Sequence, residues 1–291
     1  MSKRIILLVS AVAALAAIAV GTSAAAHPAA GVVASASCPT VTSGQLTVGT
    51  DNPAYDPWFS GGTHSSKWKI NDPSNGKGYE SAVAYAIAKQ LGYGKDKVKW
   101  TYVPFNKSFA PGPKSFDFDI NQISYTPARA KVVDFSKSYY DVNQALVVNK
   151  GTKIAAIRSV KGLAAFKLGA QLGTTSYAFI KERIKPSQSP SVFNSNAAAV
   201  LALKNKQIDG LVVDLPTAFY VTAVQVPNSK ILGQFENKPG TTTDHFGVVL
   251  KKGNPLTACV NKAITTLRTN GTLKRLQQLW LAKATGAPIL K

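Results

Sequence analysis

The chain has 291 residues, of which 45% are hydrophobic, and a formal net charge of +20 at pH 7. This length and this hydrophobic fraction are sufficient for one large domain or for two modest lobes with a real core. The 34 basic residues are scattered without a tight cluster or a recognition motif, which argues against nucleic-acid binding. A positive field of this size would instead attract an anionic polymer of the cell surface or a membrane surface.

The N-terminus has the pattern of a secretory signal peptide. Lys3-Arg4 is followed by an apolar run from Ile5 to Val20 and then by small residues, with a candidate cleavage site at Ala34-Ser35-Ala36. We therefore predict that residues 1–36 are a signal peptide and that the protein is exported, to the periplasm or to the outer face of the cytoplasmic membrane or cell wall. Cleavage near His27 and retention of the segment as an anchor are the alternatives, although the run is short of the roughly 20 apolar residues that a membrane span needs.

Segments typical of strands and helices alternate through the rest of the chain. Strands are predicted at 45–50, 98–103, 117–124, 145–148, 163–172, 208–213 and 247–250, and helices at 78–91, 196–206, 216–223, 255–267 and 273–281. This alternation predicts α/β sheets with sites at the carboxyl ends of the strands. Residues 52–77 form a loop rich in Gly, Pro, Ser and Asn, and loops of that length are often functional.

The segment from Asn121 to Tyr140 carries a candidate anion site. Thr126 followed by Pro127 is typical of a helix start, with a capping hydroxyl and a proline in the first turn. Arg129 falls in that first turn, where free amides already make the helix end positive. An anion there would be held by the amides and by a bidentate guanidinium. The alternative is that Arg129 points into water or pairs with Asp134.

The same segment resembles a known family. Its pattern S-x-T-x-x-R-x-x-x-V-D-F-S followed by Tyr-Tyr is similar to the signature of the amino-acid-binding solute receptors of bacterial ABC importers, the family 3 extracellular solute-binding proteins. The resemblance covers most of residues 43–284. It implies a two-lobed, periplasmic-binding-protein-like fold of type II, with the ligand in the interlobe cleft and two crossover strands as the hinge. Lobe 1 would be 37–148 and 247–291, and lobe 2 would be 149–246.

The resemblance also implies a function and its partners. The protein would be a monomer that captures a free amino acid by hinge closure and then docks on the membrane permease of an ABC importer. In the family the equivalent of Arg129 holds the ligand carboxylate, and the hydroxyl residues Ser124 and Thr126 share that work. Thr174 and Thr175 would also bind the carboxylate, with Gln171 beside them. From the residues alone, the Gly173-to-Ser176 turn is either an anion-binding helix start or an ordinary capped helix.

Other positions would complete the ligand site. The resemblance assigns the ligand ammonium to Asp214, whose alternative role is to cap the following helix. Asp51 would contact the ammonium or a polar side chain, and its alternative role is in a turn before Asn-Pro. Phe105 matches one ring of an aromatic clamp, and either Tyr55 or Trp58 would supply the other. These residues favour a polar or cationic amino acid.

The two cysteines, Cys38 and Cys259, leave three alternatives open. Export permits a disulfide between them. Cys38 would otherwise be the lipid-modified first residue of a lipoprotein, but Ser35-Ala36-Ser37 lacks the Leu that usually stands three residues upstream. Both could also be free thiols. We favour the bridge, because in the resembled fold the chain end returns to the lobe in which the N-terminus begins.

The sequence lacks the usual signs of an enzyme. It has no G-x-S-x-G, no H-E-x-x-H and no phosphate loop, and no Cys/His cluster has zinc spacing. We therefore predict no catalytic residue, no metal and no cofactor. The first alternative is a small-carboxylate dehydratase or cyclodeaminase on the same fold, which would need a poised acid or base in the cleft. The second is a wall-bound adhesin or sensory domain.

Overall fold

The structure is a computed structural model that describes residues 38–236, 244–282 and 286–291. The described residues belong to one compact unit. The predicted signal peptide lies outside the described residues. None of the helices in the described part of the chain is both long and apolar enough to cross a membrane.

Strands and helices alternate along the described chain. The strands are β1 (Leu46–Thr50), β2 (Val98–Tyr102), β3 (Phe118–Asp119), β4 (Val133–Phe135), β5 (Tyr140–Asp141), β6 (Gln144–Asn149), β7 (Leu168–Gln171), β8 (Ser191–Phe193), β9 (Gly210–Asp214), β10 (Ser229–Phe235), β11 (His245–Phe246), β12 (Val249–Lys251) and β13 (Ile289–Leu290). The helices are α1 (Tyr79–Gln90), α2 (Phe105–Ser108), α3 (Pro127–Ala130), α4 (Thr175–Phe179), α5 (Asn196–Lys204), α6 (Leu215–Tyr220), α7 (Leu256–Thr269) and α8 (Thr272–Leu281).

The first lobe is built on a five-stranded sheet with the order β2-β1-β3-β12-β4. Strand β1 is parallel to both β2 and β3, and every residue of β1 is buried. Leu46 and Val48 on β1 belong to one apolar core with Val83 and Ile87 of α1 and Val260 of α7. A central parallel strand covered by helices is buried on both faces, which explains its continuous apolar character.

The second lobe is built on a six-stranded sheet with the order β13-β10-β6-β9-β7-β8. Strands β7, β8 and β9 are parallel to one another, whereas β6 is antiparallel to both of its neighbours, β9 and β10. Strand β13 pairs parallel with β10. Side chains alternate between two cores along β6, because Ala145 and Val147 pack in one and Leu146 and Val148 in the other. Because β7 and β9 are parallel, their carboxyl ends lie at the same edge of the sheet.

The sheets differ from the predicted lobe boundaries at two places. The strand predicted at 145–148 was assigned to lobe 1, but β6 pairs with β9 and β10 in the second sheet. The chain end was also assigned to lobe 1, yet β13 pairs with β10, with Gln234 opposite Ile289. A strand that is buried on both faces has no sequence feature that specifies its sheet. The two-stranded sheet of β5 and β11 lies at the chain positions where the backbone passes between the lobes.

Cys38 and Cys259 form a disulfide, with their Cα atoms 6.0 Å apart. The bridge joins the start of the described chain to α7, and both cysteines pack against the core of the first lobe. This confirms the predicted pairing.

Candidate functional site

Arg129 is held at the start of the short helix α3. The Thr126 hydroxyl accepts a hydrogen bond from the backbone N–H of Arg129 at 3.1 Å, and Pro127 occupies the first turn, so the predicted helix start is confirmed. The buried guanidinium donates from Nη1 to the Ser124 carbonyl at 2.6 Å and from Nη2 to the Gly173 carbonyl at 2.7 Å. Burial lowers the pKa of Arg129 to about 10, and Asp214 opposes this shift, so the group stays charged at neutral pH.

Two aromatic rings cover the Arg129 guanidinium. Its Cζ atom lies 4.1 Å from the ring centroid of Phe109 and 5.7 Å from that of Phe105. Both distances fall within the range of a cation–π interaction, which is stronger at a desolvated site than in water. The rings therefore stabilise a buried cation whose guanidinium donates hydrogen bonds to backbone carbonyls.

The opposite wall comes from the carboxyl end of β7. Thr174 is the N-cap of α4, and its hydroxyl accepts from the Tyr177 N–H at 3.1 Å. The Thr175 Oγ1 atom lies 3.1 Å from the Ser124 Oγ atom, so the two lobes meet beside Arg129. The turn predicted from Gly173 to Ser176 is thus a capped helix start that also faces the first lobe.

Asp214 ends β9 and stands opposite Gln144 in the antiparallel register. The Gln144 Nε2 group donates to Asp214 Oδ1 at 2.7 Å. Although Asp214 holds the N-cap position of α6, its side chain makes no capping hydrogen bond. Burial raises the pKa of Asp214 to about 7, against the smaller lowering effects of Gln144 and Arg129. The Asp214 carboxyl group therefore does not cap α6, and the residue lines the cavity described below.

Asp51 follows the carboxyl end of β1. Its Oδ1 atom accepts from the backbone N–H of Asn52 at 2.7 Å, as expected for an aspartate in a turn. Burial raises the pKa of Asp51, and backbone hydrogen bonds from Asn52 and Phe105 oppose this change. Although Asp51 lies in a turn, it also lines the cavity described below.

A cavity of about 280 Å³ joins these elements. Nine of the eleven residues predicted to bind the ligand line it, namely Asp51, Tyr55, Phe105, Ser124, Arg129, Gln171, Thr174, Thr175 and Asp214. Strand ends of both sheets supply the charged groups, so one cavity is lined by a guanidinium and by carboxylates from different lobes. Among the described residues, no group of three or more His, Cys, Asp or Glu side chains is arranged to hold a metal ion.

Two predicted ligand residues do not line the cavity. Trp58 is buried in the core of the first lobe, where its ring lies edge-on to Tyr140 and Phe246 at 5.5 and 5.6 Å. Its indole Nε1–H donates to Thr217 of the second lobe at 3.2 Å. Tyr55, the competing candidate, does line the cavity. Thr126 acts as the helix cap described above.

Several polar side chains of the cavity wall were not predicted from the sequence, namely Asn52, Asn106, Asn121, Gln122, Asn194 and Asn196. Gln122 has a positive φ of 48° and donates its backbone N–H to Glu80 Oε1 at 2.6 Å. Its side-chain amide and the Tyr139 hydroxyl also bond to the Glu80 carboxyl. Burial raises the pKa of Glu80 to about 7. The high frequency of Asn and Gln near the predicted strand ends is the sequence feature that could have predicted these residues as part of the site.

Known proteins of similar sequence and structure share this architecture. The ABC transporter glutamine-binding protein GlnH of Bacillus subtilis (strain 168) is 29% identical over 225 residues, which are 75% of this chain and 78% of that protein. An ancestral arginine-binding protein solved with bound arginine is 29% identical, with a TM-score of 0.64, and the match covers 81% of this chain and 98% of that one. The ancestral amino acid-binding protein AncCDT-1, described as a precursor of cyclohexadienyl dehydratase, is 28% identical over 81% of this chain and 95% of that one, with a TM-score of 0.65.

These likenesses agree with a match to a family model. The model of the bacterial extracellular solute-binding proteins, family 3, matches residues 62–283, which include the cavity residues from Tyr102 to Thr217. The chain therefore belongs to the bacterial extracellular solute-binding proteins, family 3.

Proposed function

We propose that this protein is the extracytoplasmic substrate-binding component of an amino-acid ABC importer. The observation that carries the proposal is that Arg129 and Asp214 line one cavity from different lobes. A free amino acid presents a carboxylate and an ammonium group a short distance apart. A guanidinium binds the first with fixed geometry, and an aspartate binds the second. In this role the protein acts as a monomer and delivers its ligand to the membrane permease.

The charge balance of the cavity favours a cationic ligand. Among the described residues that line it, Arg129 is the cation, whereas Asp51 and Asp214 are carboxylates. A zwitterion with a neutral side chain pairs Arg129 and Asp214 and leaves Asp51 without a counter-ion. A cationic side chain supplies that counter-ion, and a buried charge is tolerated when it is paired. Among the relatives above, one is named for glutamine and another for arginine, which spans the polar and cationic classes.

Contacts across the cleft support capture by hinge closure. Three side-chain hydrogen bonds join the lobes around the cavity, from Arg129 to Gly173, between Ser124 and Thr175, and from Trp58 to Thr217. Closure of this kind around a ligand excludes water and strengthens each charged contact. Residues 140–141 and 245–246, which pair as β5 and β11, are the hinge in this mechanism.

An enzymatic role is the second candidate, because one structural neighbour is described as a dehydratase precursor and because burial raises the pKa of Asp214 to about 7. A group that titrates near neutral pH is suited to general acid–base catalysis. We propose binding without turnover, because Gln144 holds Asp214 by a hydrogen bond. The buried acids Glu80, Asp117 and Asp119 do not line the cavity. Product formation from a candidate carboxylate substrate would overturn this proposal.

A thermal-shift screen across the free amino acids tests the function. We expect arginine or lysine to give the largest stabilisation, which is about 2.7 kcal/mol at a hundredfold excess over the Kd. Arg129→Ala should abolish the shift, and Arg158→Ala, at an exposed position away from the cavity, should retain it. Absence of a shift with every amino acid, or an unchanged shift in Arg129→Ala, would refute the proposal. Wall binding that ignores the ligand would favour the adhesin alternative.

A further inference from the structure

The second sheet has an end that the ligand site does not use. The carboxyl ends of β7 and β9 reach the cavity through Gln171 and Asp214, so the amino ends of these strands lie at the opposite edge of the sheet. The antiparallel register places Val148 of β6 opposite Gly210 of β9, and Ser229 of β10 opposite Asn149. The end of β6 and the starts of β7, β9 and β10 therefore share one edge. It lies roughly 15 Å from the cleft, because a strand rises about 3.3 Å per residue.

Six lysines cluster at this edge, which we call the distal lysine face: Lys150, Lys153, Lys167, Lys204, Lys206 and Lys230. Lys150 and Lys153 follow β6, Lys167 precedes β7, and Lys230 is the second residue of β10. Lys204 and Lys206 lie at the end of α5, which is tied to the end of β6 because Asn149 Nδ2 donates to the Leu203 carbonyl at 2.7 Å. All of these lysines are exposed except Lys230, which is half-buried.

Little negative charge balances the face. Asp209 precedes β9 at the same edge, and its Oδ2 atom accepts the backbone N–H of Lys167 at 2.8 Å. The segments 150–168, 185–191 and 226–230 contain no Asp or Glu. Among the described residues, ion pairs within 4 Å join Lys97 to Asp96 and Lys252 to Asp134, and neither pair belongs to this face. The Nζ atom of Lys150 donates to the backbone carbonyl of Pro227, and the Nζ atom of Lys230 donates to that of Ala155.

We propose that the distal lysine face docks this protein on a bilayer surface rich in anionic lipid headgroups. The four strand ends lie side by side in the order β10-β6-β9-β7, which spreads the charges over about 14 Å. Helix α5 packs against one side of this sheet, so Lys204 and Lys206 lie beside that row and the charges form a two-dimensional array. Such an array matches a plane of charge better than it matches a single polymer thread. Lysine acts as a point charge without the forked geometry that binds one phosphate, and each lysine near an anionic membrane contributes about 1 kcal/mol. Val224, which is 58% exposed just before β10, adds an apolar side chain close to the same edge.

This docking is independent of ligand capture, because none of the six lysines lines the cavity. Held in this way, the receptor would stay at the membrane where a permease works, and its cleft would be at the opposite end of the second lobe. The attraction should weaken steeply with added salt, because exposed charges are screened within about 8 Å at physiological ionic strength.

Flotation with lipid vesicles tests the proposal, with residues 37–291, the predicted mature chain, as the protein. We expect binding to vesicles that contain 30% phosphatidylglycerol and none to pure phosphatidylcholine vesicles. The triple variant Lys150→Gln, Lys167→Gln, Lys206→Gln should bind about a hundredfold more weakly, at about 1 kcal/mol for each lysine. The matched variant Lys89→Gln, Lys99→Gln, Lys274→Gln removes the same net charge from exposed positions of the first lobe and should lose less than fivefold.

The outcomes separate the proposal from its competitors. Equal losses in the two triple variants would show that the net charge and not this face is responsible, and would overturn the proposal. Binding to soluble inorganic polyphosphate without binding to the anionic vesicles would also overturn it, in favour of a surface polymer. Capture of an acidic protein by the face, with no vesicle binding, would do the same. An unchanged thermal transition and an unchanged amino-acid response in the distal variant would show that a loss of vesicle binding is not a loss of fold.

Discussion

Asp214 should make amino-acid binding depend on pH, because it is the proposed partner of the ligand ammonium and its pKa is raised to about 7 by burial. An ammonium group favours the charged carboxylate, so the ligand lowers this pKa. Binding is therefore strongest above pH 7 and weakens as the pH falls through 7. If only the ionised form binds, the apparent Kd is the intrinsic Kd divided by the ionised fraction, which is about 0.9 at pH 8 and about 0.01 at pH 5. The Kd should rise about ninetyfold over this interval.

Isothermal titration calorimetry at pH 8, 7, 6 and 5 measures this change, with an amino acid whose own groups do not titrate in that range. Asp214→Asn should bind about 2–5 kcal/mol more weakly at pH 8, because the ammonium loses its counter-ion, and should show a flat profile. Asn retains an oxygen that accepts the Gln144 hydrogen bond, so the cleft geometry should persist. Asp96→Asn, at an exposed position beside Lys97, should keep the wild-type profile. A wild-type Kd that is the same at pH 8 and pH 5, or a variant that keeps the slope, would refute the assignment.

Three further predictions concern Arg129, the disulfide and the buried acid Glu80. Arg129→Lys should weaken amino-acid binding at least tenfold in the same titration, because an ammonium cannot reproduce the forked contacts of a guanidinium. Replacing both Cys38 and Cys259 by Ser should lower the free energy of unfolding in urea by about 2–5 kcal/mol, because the bridge spans 221 residues of sequence. The pKa of Glu80 is raised from 4.5 to about 7 by burial, so the folded state binds more protons than the unfolded state between these values. The free energy of unfolding should therefore fall by about 3 kcal/mol as the pH rises from 4.5 to 7, and Glu80→Gln should make this fall smaller.

Each of these predictions has a result that contradicts it. Arg158→Lys, at an exposed position, should leave binding unchanged, and an equal loss there would remove the argument from guanidinium geometry. A double serine variant as stable as the wild type would mean that the bridge constrains little in the unfolded chain. If the free energy of unfolding of Glu80→Gln depends on pH as steeply as that of the wild type, another carboxyl group dominates the slope. Asp119, which is fully buried and has a raised pKa, is then the first candidate.

The local parts of the site follow from the residue types along the chain. The Thr126 cap, Pro127 and the position of Arg129 depend on hydrogen bonds within one turn, so their residue types predicted them correctly. Gln171 and Asp214 were predictable as strand ends, because parallel strands in α/β folds bring their carboxyl ends to one edge. The cysteine pairing followed from the resemblance to the family and is present in the structure.

Tertiary structure decided what depends on contacts between distant residues. A loop pattern could not choose between Tyr55 and Trp58, since Trp58 is removed from the cavity by its packing on Phe246 and its bond to Thr217. Strand β6 is buried throughout, and a strand with two apolar faces does not specify which sheet it joins. The distal lysine face arises because antiparallel pairing brings lysines from separate segments to one edge, although they are scattered in the sequence. Hydrogen bonds within one turn depend on neighbouring residues in the sequence. Burial, and the charges that surround a residue, depend on contacts that form only when the chain folds.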